Sequence, residues 1–179
     1  MKNTVLCFSG GIASGKSTLS EAVALSLACP RVSFGGFMRS EARRRGFATD
    51  RKTLQAIGEE LVARDPDSLC RAVLGQAGWS PGGALVIDGV RHVDIATRLS
   101  RIVKPSEFRL SHVTLGKDTR TARFAARADG KGELADFESH STERDVQRGL
   151  PEQAHLVVDG DQPIEALIET IARWAEALA

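Results

Sequence analysis

Between two stretches of regular apolar patterning the chain carries Gly10-Gly11-Ile12-Ala13-Ser14-Gly15-Lys16-Ser17, followed by Thr18. The segment fits G-x-x-x-x-G-K-[ST]. Ahead of it, Val5-Leu6-Cys7-Phe8 is a short apolar run that reads as a buried strand. Behind it, Leu19, Val23 and Leu27 recur at i, i+4 and i+8, which marks one face of a helix. A strand that turns through glycines straight into a helix fixes a local geometry. Backbone N–H groups of the turn converge near the helix N-terminus, and the helix dipole favours negative charge there. Gly11, Ile12, Ala13, Ser14, Gly15, Lys16, Ser17 and Thr18 are therefore expected to cradle phosphate. Lys16 is expected to reach the β- and γ-phosphates of a nucleotide, and the Ser17 hydroxyl to ligate Mg²⁺.

The remaining pattern alternates short apolar runs with helical stretches. Strands are expected at Arg31 to Phe34, Ala84 to Asp88, Phe108 to Leu115 and Ala154 to Asp159. Helices are expected around Phe37 to Arg45, after an Asp50 cap, from Asp65-Pro66-Asp67, over Asp94 to Arg101, and over Lys117 to Ala128. A last helix keeps Ile164, Leu167, Ile168, Ile171 and Trp174 on one face, with Pro163 near its first turn. Such alternation predicts an α/β fold with a five-stranded parallel sheet and helices on both faces, a three-layer arrangement. Ligands of such sheets sit at the carboxyl ends of the strands. The glycine loop, Gly35-Gly36 and Asp88-Gly89 all fall at such ends, so they are expected to share one cleft.

Composition narrows the class. At 179 residues the chain fits one domain over 1–179, and its formal net charge of +1 disfavours a non-specific nucleic-acid binder. No apolar run approaches membrane-span length, and the first strand begins too early for a signal peptide. Cys7, Cys29 and Cys70 are odd in number and lack metal-ligand spacing, which suits a reducing cytoplasm. Cys7 falls in the first strand and is expected in the core.

Asp88 ends a hydrophobic strand and is positioned to hold Mg²⁺ or to orient an acceptor. The alternative is a cap on Gly89-Val90. Arg91 follows three residues later, and its planar fork suits bidentate phosphate binding. Arg39 and Arg43 lie one helical turn apart after the second strand. Arg120, Arg123 and Arg127 recur along one helix, with Arg144 and Arg148 repeating the spacing further on. Phosphoryl transfer needs several cations, because charge spreads over the transferring oxygens. Arg43-Arg44-Arg45 reads as an exposed helix face rather than a nucleic-acid patch. His140 either contacts substrate or caps a helix starting near Ser141.

Taken together, these residues resemble the P-loop nucleoside and nucleotide kinases, especially adenylate-kinase-like and dephospho-CoA-kinase-like proteins. GGIASGKST is similar to the P-loop of dephospho-CoA kinases. VSFGGFMR resembles the start of a nucleoside-monophosphate-binding segment, which implies that Arg39 contacts an acceptor phosphate. DGVR resembles DG-x-x-R of nucleoside monophosphate kinases, which implies the same for Arg91. TARFAARADGKG resembles the helix leading into a lid, which implies Arg123 and Arg127 on the donor phosphates or beside the donor base. LVVDGDQP resembles the last strand and loop against a donor adenine. The resemblance implies the P-loop NTPase fold, with residues 35–80 as an acceptor-binding helical segment and 129–149 as a lid-like segment.

One departure bears on the acceptor. Dephospho-CoA kinases usually carry an aspartate after the second strand, where this chain reads Ser33-Phe34-Gly35-Gly36. A phosphate acceptor is already nucleophilic at pH 7, whereas a hydroxyl benefits from a general base. Many arginines without that carboxylate favour ATP- and Mg²⁺-dependent transfer to a small phosphate-bearing acceptor, a nucleoside monophosphate or close analogue. A hydroxyl-directed kinase of the dephospho-CoA type is the nearest alternative. A nucleotide-dependent ATPase or switch acting on a macromolecular partner is the third.

Overall fold

The computed structural model describes residues 3–126 and 145–177. Expectations for Arg127, His140, Arg144 and most of the lid-like segment 129–149 lie outside the described residues. The chain runs β1 (Thr4–Gly10), α1 (Lys16–Ser26), β2 (Arg31–Ser33), α2 (Phe34–Arg44), α3 (Arg51–Arg64), α4 (Pro66–Gly75) and β3 (Leu85–Asp88). It continues through α5 (Val93–Ile102), β4 (Glu107–Thr114), α6 (Lys117–Ala125) and a π-helical turn at Asp145–Gly149. It closes with α7 (Leu150–Gln153), β5 (Leu156–Asp159) and α8 (Ile164–Glu176).

The five strands form one parallel sheet in the order β2-β3-β1-β4-β5. Every residue of the central strand β1 is buried. Its alternate side chains feed two cores, as a strand covered on both faces requires. Val5 and Cys7 join Leu85, Ile87 and Leu110 beneath Met38, Ile57, Val73, Ile95 and Leu99 of α2 to α5. Leu6 and Phe8 join Val86, Val113 and Val158 beneath Leu19 and Val23 of α1 and Leu167 and Ile171 of α8. Each fully buried large side chain stabilises by roughly 1.5–3 kcal/mol relative to exposure, so the three layers hold the strand ends firmly.

Caps explain the boundaries. Asp50 Oδ1 accepts from Thr53 N at 3.0 Å to open α3, and Asp65 Oδ1 accepts from Ser68 N at 3.0 Å to open α4 ahead of Pro66. The second strand ends at Ser33, and the helix expected near Phe37 starts at Phe34 instead. The cause is local: Ser33 Oγ accepts from Gly36 N at 2.8 Å, so Ser33 is the N-cap and Gly35-Gly36 lie in the first turn. Among the described residues no helix is long and apolar enough to cross a membrane.

Candidate functional site

The loop between β1 and α1 has the backbone that its glycines predicted. Gly10 stands at φ 148° and Gly15, the N-cap of α1, at φ 84° in the left-handed region. A Cβ on Gly10 would stand 2.7 Å from Val113 O, so the loop lies directly on β4. Ser14 N donates to Gly11 O at 3.2 Å. Lys16 is buried and reaches back across the loop, its Nζ donating to Gly11 O at 3.1 Å. Ile12 and Ala13 pack on Phe124 of α6, which ties that helix to the loop.

Two arginines of α6 flank the cradle. A Cβ on Gly11 would meet Arg120 Nη1 at 3.0 Å, and one on Gly15 would meet Arg123 Nη1 at 3.3 Å. Arg123 Nη2 also donates to Gly160 O at 3.3 Å. Gly160 follows β5, and a Cβ there would lie 3.1 Å from Ser14 O. The loop after β5 therefore abuts the glycine loop. Sequence spacing had paired Arg123 with Arg127 on one face; among the described residues it is Arg120 that joins Arg123 at the cradle. Their i, i+3 spacing was the available signal.

Asp88 ends β3 between Phe8 and Ser33 in the sheet register and is buried. The capping alternative is excluded, because Gly89 N and Val90 N both donate to Phe8 O, at 3.1 and 3.0 Å. Asp88 Oδ2 accepts from Arg31 Nη2 at 3.1 Å, while Oδ1 is buried with no hydrogen-bond partner among the described residues. Arg31 opens β2 and also grips α1: its Nε donates to Ser20 Oγ at 3.0 Å and its Nη2 to Ser17 O at 3.3 Å. Ser20 Oγ donates to Ser17 O at 2.9 Å. Nothing in the sequence announces this junction, since Arg31 and Asp88 are 57 residues apart and neither periodicity nor motif links them.

The opposite wall rises from α2 and the turn after β3. A Cβ on Gly35 would lie 3.5 Å from Arg39 Nη1, and one on Gly89 would lie 4.0 Å from Gly35 N. Arg39 and the Asp88-Gly89-Val90-Arg91 turn therefore border the same space, with Arg91 half-buried. Arg43 is exposed one turn further along α2, and no described contact ties it to Gly35 or Gly89. Arg44 and Arg45 are engaged with Glu41 at 2.7 and 2.6 Å, and Arg45 with Glu60 at 2.6 Å. Those hydrogen bonds, Arg44 first, hold the Glu41 carboxyl down to about 2, so two of the three basic residues on this helix face are paired with carboxylates. Arg51 at the start of α3 lies over the Phe124 ring, 5.4 Å from its centroid, joining this wall to α6.

Two histidines border the site. His112 on β4 is buried beside Ser9, with Nδ1 2.9 Å from Ser9 Oγ. Burial first, and then the Lys16 charge, push its pKa down to about 4, so it is neutral at pH 7. Burial likewise lowers His92, against the pull of Asp145, whose Oδ2 stands 3.8 Å away. Asp145 Oδ2 also accepts from Val93 N at 3.3 Å, so the π-helical turn is docked at the start of α5 beside Arg91. Exposed Arg148 in that turn has no described contact with the cradle.

The donor set has a place for a cation. No group of three or more His, Cys, Asp or Glu side chains gathers as a metal cage among the described residues. Asp88 Oδ1 is a buried oxygen without a partner, and Ser17 Oγ lies on an exposed residue at the cradle. That pair suits Mg²⁺, which is usually held by one or two protein oxygens together with substrate phosphates and water.

Comparisons with known proteins agree with this geometry. No curated protein matches the chain significantly. Among solved structures, a shikimate kinase from Bacteroides thetaiotaomicron superposes with TM-score 0.63 at 18% identity, covering 97% of this chain and 98% of its own. A gluconokinase from Sinorhizobium meliloti 1021 gives TM-score 0.56 at 16% identity, covering 98% and 95%. A sugar kinase from Janibacter sp. HTCC2649 gives 0.58 at 18%, covering 97% and 94%. These likenesses show the shared α/β fold of P-loop kinases. A family model described as an AAA domain matches residues 6–147, most of the chain including the glycine loop, Asp88 and α6. With that match, the chain belongs to the AAA domain family.

Proposed function

We propose that this protein is a phosphotransferase that moves the γ-phosphoryl group of ATP to a small phosphate-bearing acceptor, with a nucleoside monophosphate as the first candidate. The observation that carries the reading is the pair of α6 arginines, Arg120 and Arg123, at the glycine loop. Arg39 lies beside Gly35, which the Gly89 turn approaches, and Arg91 follows that turn in the chain. The fold shared with a shikimate kinase, a gluconokinase and a sugar kinase supports transfer to a small molecule.

In this reading the backbone of Gly11 to Thr18 holds the donor phosphates, and Lys16 turns from Gly11 O to the outer phosphates. Arg120 and Arg123 neutralise donor charge, and Arg127 is assigned the same role. Arg39 and Arg91 fix the acceptor phosphate in line with the donor, which serves catalysis through position more than through proton transfer. Arg43 is reserved for the outer end of a longer acceptor. Ser17 and Asp88 hold Mg²⁺, which when bound neutralises charge on the β- and γ-oxygens. Residues 35–80 supply the acceptor wall, and residues 129–149 act as the lid that excludes water.

A second reading has its own support. The unpartnered Asp88 Oδ1 is placed to accept a proton, and the solved relatives' names point to shikimate, gluconate and sugars as acceptors. It competes with the absence of a carboxylate after β2, where Ser33 serves as a helix cap. The test is a coupled ADP-release screen against nucleoside monophosphates, dephospho-CoA, shikimate, gluconate and simple sugars, with a no-acceptor control. Turnover with monophosphates alone supports the first reading. Turnover with hydroxyl acceptors alone, abolished by Asp88→Asn while ATP binding persists, supports the second. ADP release that needs no small acceptor and rises with a macromolecular partner sinks both.

A further inference from the structure

We infer that Arg31 is a positioning residue that orients the Asp88 carboxylate and anchors the turn of α1 that carries Ser17, resting on the reading of Ser17 and Asp88 as the metal site. A single guanidinium reaches both partners. Its Nη2 lies 3.1 Å from Asp88 Oδ2 and 3.3 Å from the Ser17 carbonyl oxygen, and its Nε donates to Ser20 Oγ at 3.0 Å. Ser20 in turn donates to the same Ser17 oxygen at 2.9 Å. The planar fork therefore ties the end of β3 to the first turn of α1 from the start of β2. Occupying Oδ2 leaves Asp88 Oδ1 buried at the strand end with no partner among the described residues. The Arg31 side chain is one-quarter exposed and Asp88 is nearly closed off.

This role separates from plain electrostatics by sign. A cation beside a metal-holding carboxylate repels the metal, so charge alone would make removal of Arg31 tighten metal binding. Orientation predicts the reverse, because partners that aim a ligand typically contribute 10–100-fold to metal affinity. The fork also matters apart from its charge. Lysine at this position keeps the charge but places one ammonium where three contacts are now made in two directions.

The experiment titrates Mn²⁺ into the full chain with a non-hydrolysable ATP analogue and reads free Mn²⁺ by electron paramagnetic resonance, beside thermal melting. Arg31→Ala and Arg31→Lys are each expected to weaken Mn²⁺ retention about tenfold or more. Ser20→Ala, which removes one anchor of the fork, is expected to weaken it less. Activity of Arg31→Lys is expected to recover as Mg²⁺ is raised, with the acceptor KM unchanged. Arg31→Lys and Ser20→Ala keep the measurement decisive if Arg31→Ala does not fold. Retention equal to or tighter than wild type in the folded variants overturns the inference and leaves the site reading standing. A wild-type chain that does not retain Mn²⁺ with the analogue overturns both.

Discussion

The two walls of the cleft are built from different materials. On the donor side, the cradle is mostly backbone: a glycine turn, a helix N-terminus, and a loop after β5 pressed against Ser14 O. On the side proposed for the acceptor, the residues offered are side chains: Arg39 on α2 and Arg91 on the turn after β3. Backbone recognition needs one local sequence pattern and tolerates little change. Side-chain recognition draws on separate segments and leaves freedom to alter what is bound. In the proposed reading the donor half accounts for nucleotide phosphates in general, and the acceptor half is what would select the substrate.

That contrast can be broken first at Lys16. Lys16→Ala is expected to lower kcat/KM for ATP-dependent transfer about 100- to 1,000-fold, by analogy with the loss of one preorganised charge donor. Melting should show a folded protein, because its Nζ makes a bond to Gly11 O that water can replace. Full transfer activity in this variant would remove the donor assignment.

The next test separates backbone from side chain within the cradle itself. Gly10→Ala is expected to destabilise the fold by about 1–3 kcal/mol, since the chain must relieve both an unusual φ and a clash with Val113 O. Gly11→Ala meets only the tip of the flexible Arg120 side chain, so its melting temperature should stay near wild type while ATP affinity falls. Urea denaturation and nucleotide titration of the two variants check this. Equal stability losses would mean that the cradle is not seated on β4 as described.

A smaller effect follows from His112. Its pKa is depressed to about 4 from 6.5, so between those values the unfolded chain binds the additional proton. Stability is then expected to fall as pH drops from about 6.5 toward 4. His112→Gln should show a shallower loss of urea midpoint over that window. The same slope in both proteins would contradict a buried neutral imidazole beside Lys16.

Much of this architecture was legible because it is local. Short apolar runs and period-3.6 patterns marked five strands and their helices, and Asp50, Asp65 and Pro66 opened helices where capping chemistry required. The errors have local causes too. Ser33 reads as a strand residue by its neighbours but ends β2 by capping α2. What stayed hidden was long-range. Arg31 looked like the polar start of a strand, and only sheet order brings it against Asp88 and Ser17. Arg120 was visible as one of a row, but which arginines of the row face the loop depends on how Phe124 seats α6 on Ile12 and Ala13.

The division of labour between the walls is tested most directly by steady-state kinetics in both substrates for Arg91→Ala and Arg123→Ala, with the best acceptor from the screen. Loss of a charge-assisted contact corresponds to roughly tenfold or more. Arg91→Ala is expected to raise the acceptor KM by that factor and leave the ATP KM within about twofold. Arg123→Ala is expected to do the opposite. If both substitutions shift both constants together, the cleft is not two separately held sites, and the account fails at its centre.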